Sequence, residues 1–239
     1  MNLIEFWDIK KRYGKRDILQ DVSFVIKQGE IFGLIGRSGC GKSTLLKILI
    51  GMAESDAGTI LFEGQHVNRD IRYLRKNTGF ATQDNLLFNE LSVKENSFYF
   101  GKLYGMKKKD IEENFKKLVC LLGLEDFADT MVSQLSGGMV KRANILVSLI
   151  HKPKLLILDE PTTGLDPVLR KILWEYIQEI NKTGTTILVT SHLLEEIEEN
   201  CDRVAVLNKG RIIALASVKE YKSKYKNSSF NEIFEEILK

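Results

Sequence analysis

Short apolar segments bounded by turn residues fill the first part of the chain. Residues 3–7 and 18–26 are rich in β-branched and aromatic side chains, and a turn at residues 27–30 precedes a continuous apolar run at residues 31–35. Such segments are typical of β-strands. The run without polar positions predicts a strand that is covered on both faces of its sheet.

Helical spacing of apolar residues appears next. Residues 43–50 predict a helix that ends at Gly51, and two short strand candidates follow at residues 59–62 and 79–82. From residue 84 to about residue 150 the pattern is mostly helical. This long helical stretch predicts a subdomain inserted into an α/β core.

One helix of this stretch has an apparent start signal. Asp110 with Glu113 resembles a capping box, and Gly123 is a plausible end. The apolar residues between them recur at helical spacing: Ile111, Phe115, Leu118, Val119 and Leu122.

Strands and helices alternate again towards the end of the chain. Residues 155–158 are a continuous apolar run, and residues 186–190 are a further strand candidate. Asp166-Pro167 predicts the N-cap and first position of a helix that ends at Gly184. One face of that helix is predicted to be apolar: Val168, Ile172, Leu173, Tyr176, Ile177 and Ile180. Residues 203–215 predict a hairpin around Asn208-Lys209-Gly210.

These segments predict a single α/β domain over residues 1–239 with a mainly parallel sheet. Residues 1–83 and 151–217 form its core, which includes an N-terminal antiparallel β subdomain, and residues 84–150 form the helical subdomain. Residues 218–239 form a C-terminal helical tail with an amphipathic end. The apolar residues of that end are Phe230, Ile233, Phe234, Ile237 and Leu238.

Composition and charge exclude several classes of protein. The 239 residues are 44% hydrophobic and 28% charged, with a net charge of +3, which excludes a disordered chain and gives no reason to expect a nucleic-acid partner. No apolar run approaches the roughly 18 residues of a membrane helix, and the start of the chain does not resemble a signal peptide. The scattered Cys40, Cys120 and Cys201 indicate reduced thiols in the cytosol.

A glycine-rich loop stands between the predicted strand at residues 31–35 and the predicted helix at residues 43–50. Its sequence, Gly36-Arg37-Ser38-Gly39-Cys40-Gly41-Lys42-Ser43-Thr44, contains the P-loop pattern G-x-x-x-x-G-K-[ST]. Backbone N–H groups and the helix N-terminus then converge on phosphate oxygens, Lys42 reaches the β- and γ-phosphates, and Ser43 ligates magnesium. The alternative is a glycine-rich turn before a helix. Such a turn does not require the preceding strand that is predicted here. Cys40 is either a small loop residue or a reactive thiol.

Two carboxylates follow the apolar run at residues 155–158. Asp159 and Glu160 point in different directions if they continue the strand. Asp159 can hold magnesium, and Glu160 can orient and deprotonate an attacking water. The alternative is a solvated acidic turn.

Leu135-Ser136-Gly137-Gly138-Met139, together with the P-loop and the acidic pair, resembles the signature of the ATP-binding cassette (ABC) family, specifically the ATP-binding subunit of a transporter. The resemblance implies a P-loop NTPase fold, ATP and Mg²⁺ as ligands, and ATP hydrolysis. Ser136 also opens a second helix N-terminus that can bind an anion. The resemblance implies a head-to-tail homodimer, in which Ser136, Gly137 and Gly138 cap the γ-phosphate on the partner's P-loop. An ordinary helix cap at Ser136 is the alternative.

Four further residues match motifs of the family. The resemblance implies that Tyr13 stacks on adenine, Gln83 reaches magnesium and water, Asp166 crosses the dimer interface and His192 contacts the γ-phosphate. Without the resemblance, Tyr13 is more often a surface strand aromatic, and a solitary histidine such as His192 is usually structural or solvated. Asp166 is also an N-cap, and both interpretations of Asp166 can hold. The loop with Gln83 is also implied to signal to the membrane subunit. The neighbouring Leu86, Leu87 and Phe88 either line a groove for that subunit or belong to the subdomain core.

The resemblance also implies a direction of transport. Met139 and residues 162–167 resemble the exporter branch for drugs or lipids, although residues 37–42 resemble importers. We therefore predict an ATPase subunit that powers export by a separate integral membrane permease, from a peripheral position on the cytoplasmic face of the cell membrane. The alternatives are an importer ATPase, a soluble cassette ATPase without a transport role, and an ATP-gated module with little turnover.

Overall fold

A computed structural model describes residues 1–225 and 228–238, and these residues form two units. The first unit contains residues 1–75 and the chain from residue 186 onwards, and the second contains residues 76–185. Lys226, Asn227 and Lys239 of the predicted tail lie outside the described residues.

An antiparallel sheet begins the first unit. It consists of β1 (Asn2–Tyr13), β2 (Arg16–Lys27), β4 (Ala57–Phe62) and β5 (Gln65–His66), in the order β2-β1-β4-β5. Buried and more open positions largely alternate along the second half of β2, as expected for a sheet with one covered face, whereas register shifts interrupt the alternation in β1. The ring of Phe24 stacks on Phe6 and on Phe32, with centroids 4.4 and 5.4 Å apart. These rings link the antiparallel sheet to the next strand, β3 (Ile31–Ile35).

A second group of strands in the first unit surrounds β3. It also contains β8 (Thr186–Ser191), β9 (Arg203–Asn208) and β10 (Arg211–Ser217). β3 runs parallel to both β8 and β9, and β9 and β10 form the predicted antiparallel hairpin. All residues of β3 are buried, as its apolar sequence predicted, and all residues of β8 are buried as well.

Five helices are associated with the first unit: α1 (Lys42–Leu49), α2 (Ile71–Lys76), α7 (Leu194–Asn200), α8 (Val218–Lys224) and α9 (Phe230–Ile237). α8 and α9 each start with a complete capping box, Ser217 with Glu220 and Ser229 with Glu232. The predicted apolar residues Phe230, Ile233 and Phe234 of α9 are buried, and α9 packs against α7.

The second unit combines two parallel strands with helices. The strands are β6 (Thr78–Ala81) and β7 (Leu155–Asp159). The helices are α3 (Val93–Leu103), α4 (Lys108–Leu121), α5 (Gly137–Leu149) and α6 (Pro167–Lys182), with 3₁₀ turns at Glu125–Phe127 and Val132–Gln134.

Two local predictions in this unit are wrong. Asp110 and Glu113 form no capping box, because α4 already begins at Lys108 and its N-cap residue is Lys107. Asp110 therefore lies in the first turn, where its charge suits the helix dipole, and Glu113 pairs with Lys117 at 2.8 Å. Val168 is 67% exposed, because it lies in the first turn of α6, before the buried face that starts at Leu173.

His151 gives the second unit a pH-sensitive core contact. Its ring stacks on Tyr104 with centroids 3.6 Å apart, and its Nε2 lies 3.2 Å from the Thr78 carbonyl oxygen. Its buried Nδ1 has no hydrogen-bond partner among the described residues. Burial therefore lowers the pKa of His151 from its usual 6.5 to about 4.

We expect His151→Phe to flatten the dependence of stability on acid. Between pH 6.5 and 4 the unfolded chain binds a proton on His151 and the folded chain does not, so stability falls as the pH falls through this window. The wild type should lose about 2 kcal/mol more than His151→Phe between pH 7 and pH 5. Urea unfolding followed by circular dichroism at both pH values measures this difference, and equal losses in the two proteins would contradict it.

Candidate functional site

The P-loop joins β3 to α1 in the first unit, and packing explains its glycines. A Cβ atom on the buried Gly36 would collide with the carbonyl oxygen of Leu207. Gly41 has φ 117°, and a Cβ there would lie 2.8 Å from Leu19 Cδ2. Larger residues at these two positions would push the loop away from the strands behind it, so the backbone can curve here only with glycine.

The loop presents several donors to an anion. The Lys42 side chain is buried, and its ammonium donates to the carbonyl oxygen of Gly36 at 2.7 Å. The first N–H groups of α1 lack an i−4 partner within the helix, and Ser43 in this first turn is exposed. This donor set fits a phosphate chain, because helix N–H groups and an ammonium both attract phosphate oxygens.

A depression of about 390 Å³ adjoins the P-loop in the first unit. Its lining is residues 16–18, residue 20, residues 37–40 and residues 208–210, including the cationic Arg16, Arg37 and Lys209. The hairpin turn also supports the P-loop, since the Gly210 N–H donates to the Cys40 carbonyl at 3.1 Å. Sequence analysis predicted the hairpin but not this contact.

Tyr13 lies at the end of β1 with an exposed ring. The Lys11 ammonium is 5.2 Å from the ring centroid, and Tyr13 does not line the depression formed by the described residues. The open ring is available to stack, and both predicted explanations of Tyr13 are compatible with its position.

The side chain of Arg37 has a protein partner that sequence analysis missed. Its guanidinium donates to both carboxylate oxygens of Glu235 on α9, at 2.9 and 3.3 Å. Both side chains are exposed, so the pair contributes roughly 0–1 kcal/mol to stability. The contact nevertheless places the C-terminal helix beside the P-loop.

His192 leaves β8 at the same edge as the P-loop. In the parallel pairing of β3 with β8, Ile35 lies opposite Ser191, so Gly36 and His192 follow neighbouring strand ends. His192 is exposed. The first unit therefore brings together the P-loop and the predicted γ-phosphate contact.

The second unit brings together three other predicted site residues in the same way. Ala81 of β6 lies opposite Leu158 of β7, so Gln83, Asp159 and Glu160 follow neighbouring ends of parallel strands. Glu160 has φ 50°, a left-handed conformation that is strained for a residue with a side chain. Its carboxylate accepts a hydrogen bond from Thr163 Oγ1 at 3.2 Å.

Lys141 joins this cluster from α5. Its ammonium donates to the carbonyl oxygen of Gln83 at 2.7 Å. Burial lowers the pKa of Lys141 from its usual value, while the negative charges of Asp84, Glu160 and Asp159 act to raise it. Sequence analysis did not assign Lys141 to the site, because its contact with Gln83 joins residues that are 58 positions apart.

Asp166 is an N-cap residue, as predicted, and Ser136 is also an N-cap residue, which was the alternative interpretation of its position. Ser136 Oγ accepts the Met139 N–H at 3.4 Å at the start of α5, and Asp166 Oδ1 accepts the N–H groups of Val168 and Leu169 at the start of α6. Ser136 and Gly137 are exposed. The N-terminus of α5 therefore faces outwards and is a second place where an anion can bind.

Hydroxyl and carboxylate oxygens of the kind that magnesium binds are present among the described residues. Among the described residues, no group of three or more His, Cys, Asp or Glu side chains can hold a metal. Mg²⁺ commonly binds one or two protein oxygens together with phosphates of a substrate, and it does not require such a group. Ser43 in the first unit and Asp159 in the second unit each offer an oxygen of this type.

Comparison with known proteins identifies the family. The model of the ABC transporter family matches residues 19–163, which contain the P-loop, the Ser-Gly-Gly motif and the acidic pair. This chain belongs to the ABC transporter family. It is the ATP-binding domain, and ABC ATP-binding domains are ATPases.

Individual relatives of this ABC ATPase are named for export and for resistance. Nod factor export ATP-binding protein I of Sinorhizobium fredii is 41% identical over 88% of this chain and 61% of that protein. Linearmycin resistance ATP-binding protein LnrL of Bacillus subtilis is 36% identical over 90% of this chain and 69% of that protein. The chain therefore spans less than two thirds of the first relative. A solved ATP-binding subunit of an ABC transporter is 29% identical with a TM-score of 0.89, covering 99% of this chain and all of that one.

These comparisons confirm the predicted family and the predicted P-loop NTPase α/β fold of this ABC ATPase. In the part of the chain that the structure describes, no helix is both long and apolar enough to cross a membrane.

Proposed function

We propose that this ABC ATPase hydrolyses ATP to power export by a separate integral membrane permease, and that it acts at the cytoplasmic face of the cell membrane. The observation that carries the proposal is the P-loop, whose glycines, buried lysine and helix N-terminus form a phosphate cradle. Export is favoured over import because the relatives are named for export and for resistance.

ATP binding is assigned to residues of the first unit. Residues Gly36 to Thr44 hold the phosphates through backbone N–H groups and Lys42, and the depression beside the loop accommodates the rest of the nucleotide. The exposed ring of Tyr13 stacks on the adenine.

Hydrolysis is assigned to the polar residues at the strand ends. Glu160 orients and deprotonates the attacking water, and Gln83 helps to position it. Lys42 and His192 stabilise the negative charge that develops on the γ-phosphate. Ser43, Gln83 and Asp159 would each offer a ligand to Mg²⁺, which would neutralise phosphate charge when bound.

A head-to-tail homodimer is proposed because the chain has two phosphate-binding helix ends and a single P-loop. Within this chain, a Cβ on Gly137 would meet nothing within 4 Å, so internal packing does not require glycine there. A γ-phosphate that approaches from a second copy explains both the exposure and the small size of Gly137. Ser136, Gly137 and Gly138 then cap the partner's nucleotide, and Asp166 lies at the same interface.

The permease is proposed to bind an aromatic patch on the second unit, which consists of Leu86, Phe88, Tyr99 and Leu103. These side chains are 57%, 42%, 45% and 66% exposed, and the rings of Phe88 and Tyr99 meet edge to face at 4.8 Å. Leu87 is buried and belongs to the subdomain core. A cluster of exposed apolar side chains is typical of a protein interface, and here it follows directly on the loop of Gln83.

We expect Phe88→Asp to release the protein from membranes. A charge in the centre of an apolar interface typically costs at least 1–2 kcal/mol, so the fraction of tagged protein that sediments with membranes from its native host should fall roughly 5- to 30-fold. ATP binding should be unchanged. Phe127→Asp, which changes an equally exposed aromatic outside the patch, is the control and should leave sedimentation at the wild-type level. Unchanged sedimentation of Phe88→Asp would remove the patch from the proposal.

A further inference from the structure

Two side chains from neighbouring turns of α5 hold the loop that follows β6. Lys141 donates to the carbonyl oxygen of Gln83 at 2.7 Å, and Asn144 Nδ2 donates to the carbonyl oxygen of Thr82 at 3.2 Å. Residues three apart lie on the same face of a helix, so the two donors reach consecutive peptide groups. The loop backbone at Thr82 and Gln83 is therefore fixed by α5.

The loop depends on such support because it has no regular structure of its own. Residues 82–88 are neither helix nor strand, and the side chains of residues 83–86 are exposed. Hydrogen bonds with a charged donor are about twice as strong as neutral ones. The contact from Lys141 is thus the stronger of the two contacts from α5.

The charge of Lys141 also belongs to the site. The negative charges of Asp84, Glu160 and Asp159 act to raise the pKa of its ammonium, against the effect of burial. Three carboxylates close to one loop would repel one another and would weaken the binding of anionic ATP, so a cation among them stabilises the arrangement. Lys141 therefore contributes a hydrogen bond and a compensating charge.

We propose that Lys141 is a positioning residue that ties the loop of Gln83 to the signature helix. α5 carries Ser136 at its N-terminus and Lys141 within its second turn, so a movement of this helix carries the Gln83 backbone with it. Lys141 thereby links the nucleotide state of the signature motif to the placement of Gln83. The inference rests on the proposed function, in which Gln83 positions the water and signals to the permease.

We expect Lys141→Met to lower kcat for ATP hydrolysis by about 10-fold and to change KM for ATP by less than about 2-fold, since a displaced catalytic group slows the chemical step without removing contacts to the substrate. Lys141→Arg keeps the charge and the donor and should restore kcat to within about 2-fold of wild type. Lys116→Met, which changes an exposed lysine on α4, is the matched control and should have the wild-type rate.

Hydrogen exchange tests the structural step separately. Amides of residues 82–86 should exchange faster in Lys141→Met than in the wild type, with the helices of the second unit unchanged. If Lys141→Met does not fold, Lys141→Gln is the second variant, and we expect at least a threefold loss of kcat. Wild-type kcat in the folded variants, or a loss that Arg does not restore, overturns the inference. A wild-type chain that neither binds nor hydrolyses ATP instead overturns the proposed function.

Discussion

Glu160→Gln is expected to bind ATP as tightly as the wild type and to hydrolyse it about 10²- to 10⁴-fold more slowly. The amide has the shape of the carboxylate and can still accept the hydrogen bond from Thr163 Oγ1, so the strained turn after β7 keeps its anchor. The amide cannot take a proton from water, so the substitution slows the chemical step of hydrolysis. Uncleaved ATP should then hold the homodimer together.

Phosphate release under saturating ATP measures the turnover, and equilibrium binding of a fluorescent ATP analogue measures the affinity. Size-exclusion chromatography with ATP and magnesium should show a stable dimer for Glu160→Gln and a transient one for the wild type. Glu175→Gln, which changes an exposed carboxylate on α6, is the matched control. Near wild-type turnover of Glu160→Gln would exclude Glu160 as the base, and negligible turnover of the wild type would favour the ATP-gated module instead.

Local sequence predicts the elements on which the site is built, because their determinants are local. The apolar runs of β3 and β7 predict buried strands, and the residues that follow such strands lie at the edge where ligands bind in α/β folds. The helix starts at Ser136 and Asp166 are equally predictable, since an N-cap side chain bonds to N–H groups only two or three residues away.

Contacts between distant residues are the part that sequence analysis missed. Lys141 meets Gln83 across 58 positions, and Arg37 meets Glu235 across 198. Neither partner has a distinctive local pattern, because a lysine or an arginine on a helix or loop is normally a solvated residue. The capping box predicted at Asp110 is wrong for the opposite reason. The local pattern is present, but α4 already begins at Lys108, so Asp110 lies inside the helix. The short helices α2 and α7 contain too few turns to show a period.

The second large effect is expected from Ser136→Asp. Aspartate is as good an N-cap as serine, so it can still accept the Met139 N–H and keep the start of α5. It also adds a negative charge where the proposed homodimer places the partner's γ-phosphate. Like charges brought together at an interface cost several kcal/mol, so the ATP-dependent dimer should weaken by about 10²-fold or more, and turnover should fall with it.

Analytical ultracentrifugation with ATP, in the Glu160→Gln background that accumulates dimer, measures this effect. Ser229→Asp makes the same exchange at the exposed N-cap of α9 and should leave the dimer intact. The decisive comparison is with ATP binding by the monomer. A single chain holds its own nucleotide at the P-loop, so Ser136→Asp should bind ATP with unchanged affinity when the protein is dilute. Lost binding under these conditions would mean that Ser136 contacts the nucleotide of its own chain. A head-to-tail arrangement would then no longer be needed to explain why this chain has two phosphate-binding helix ends.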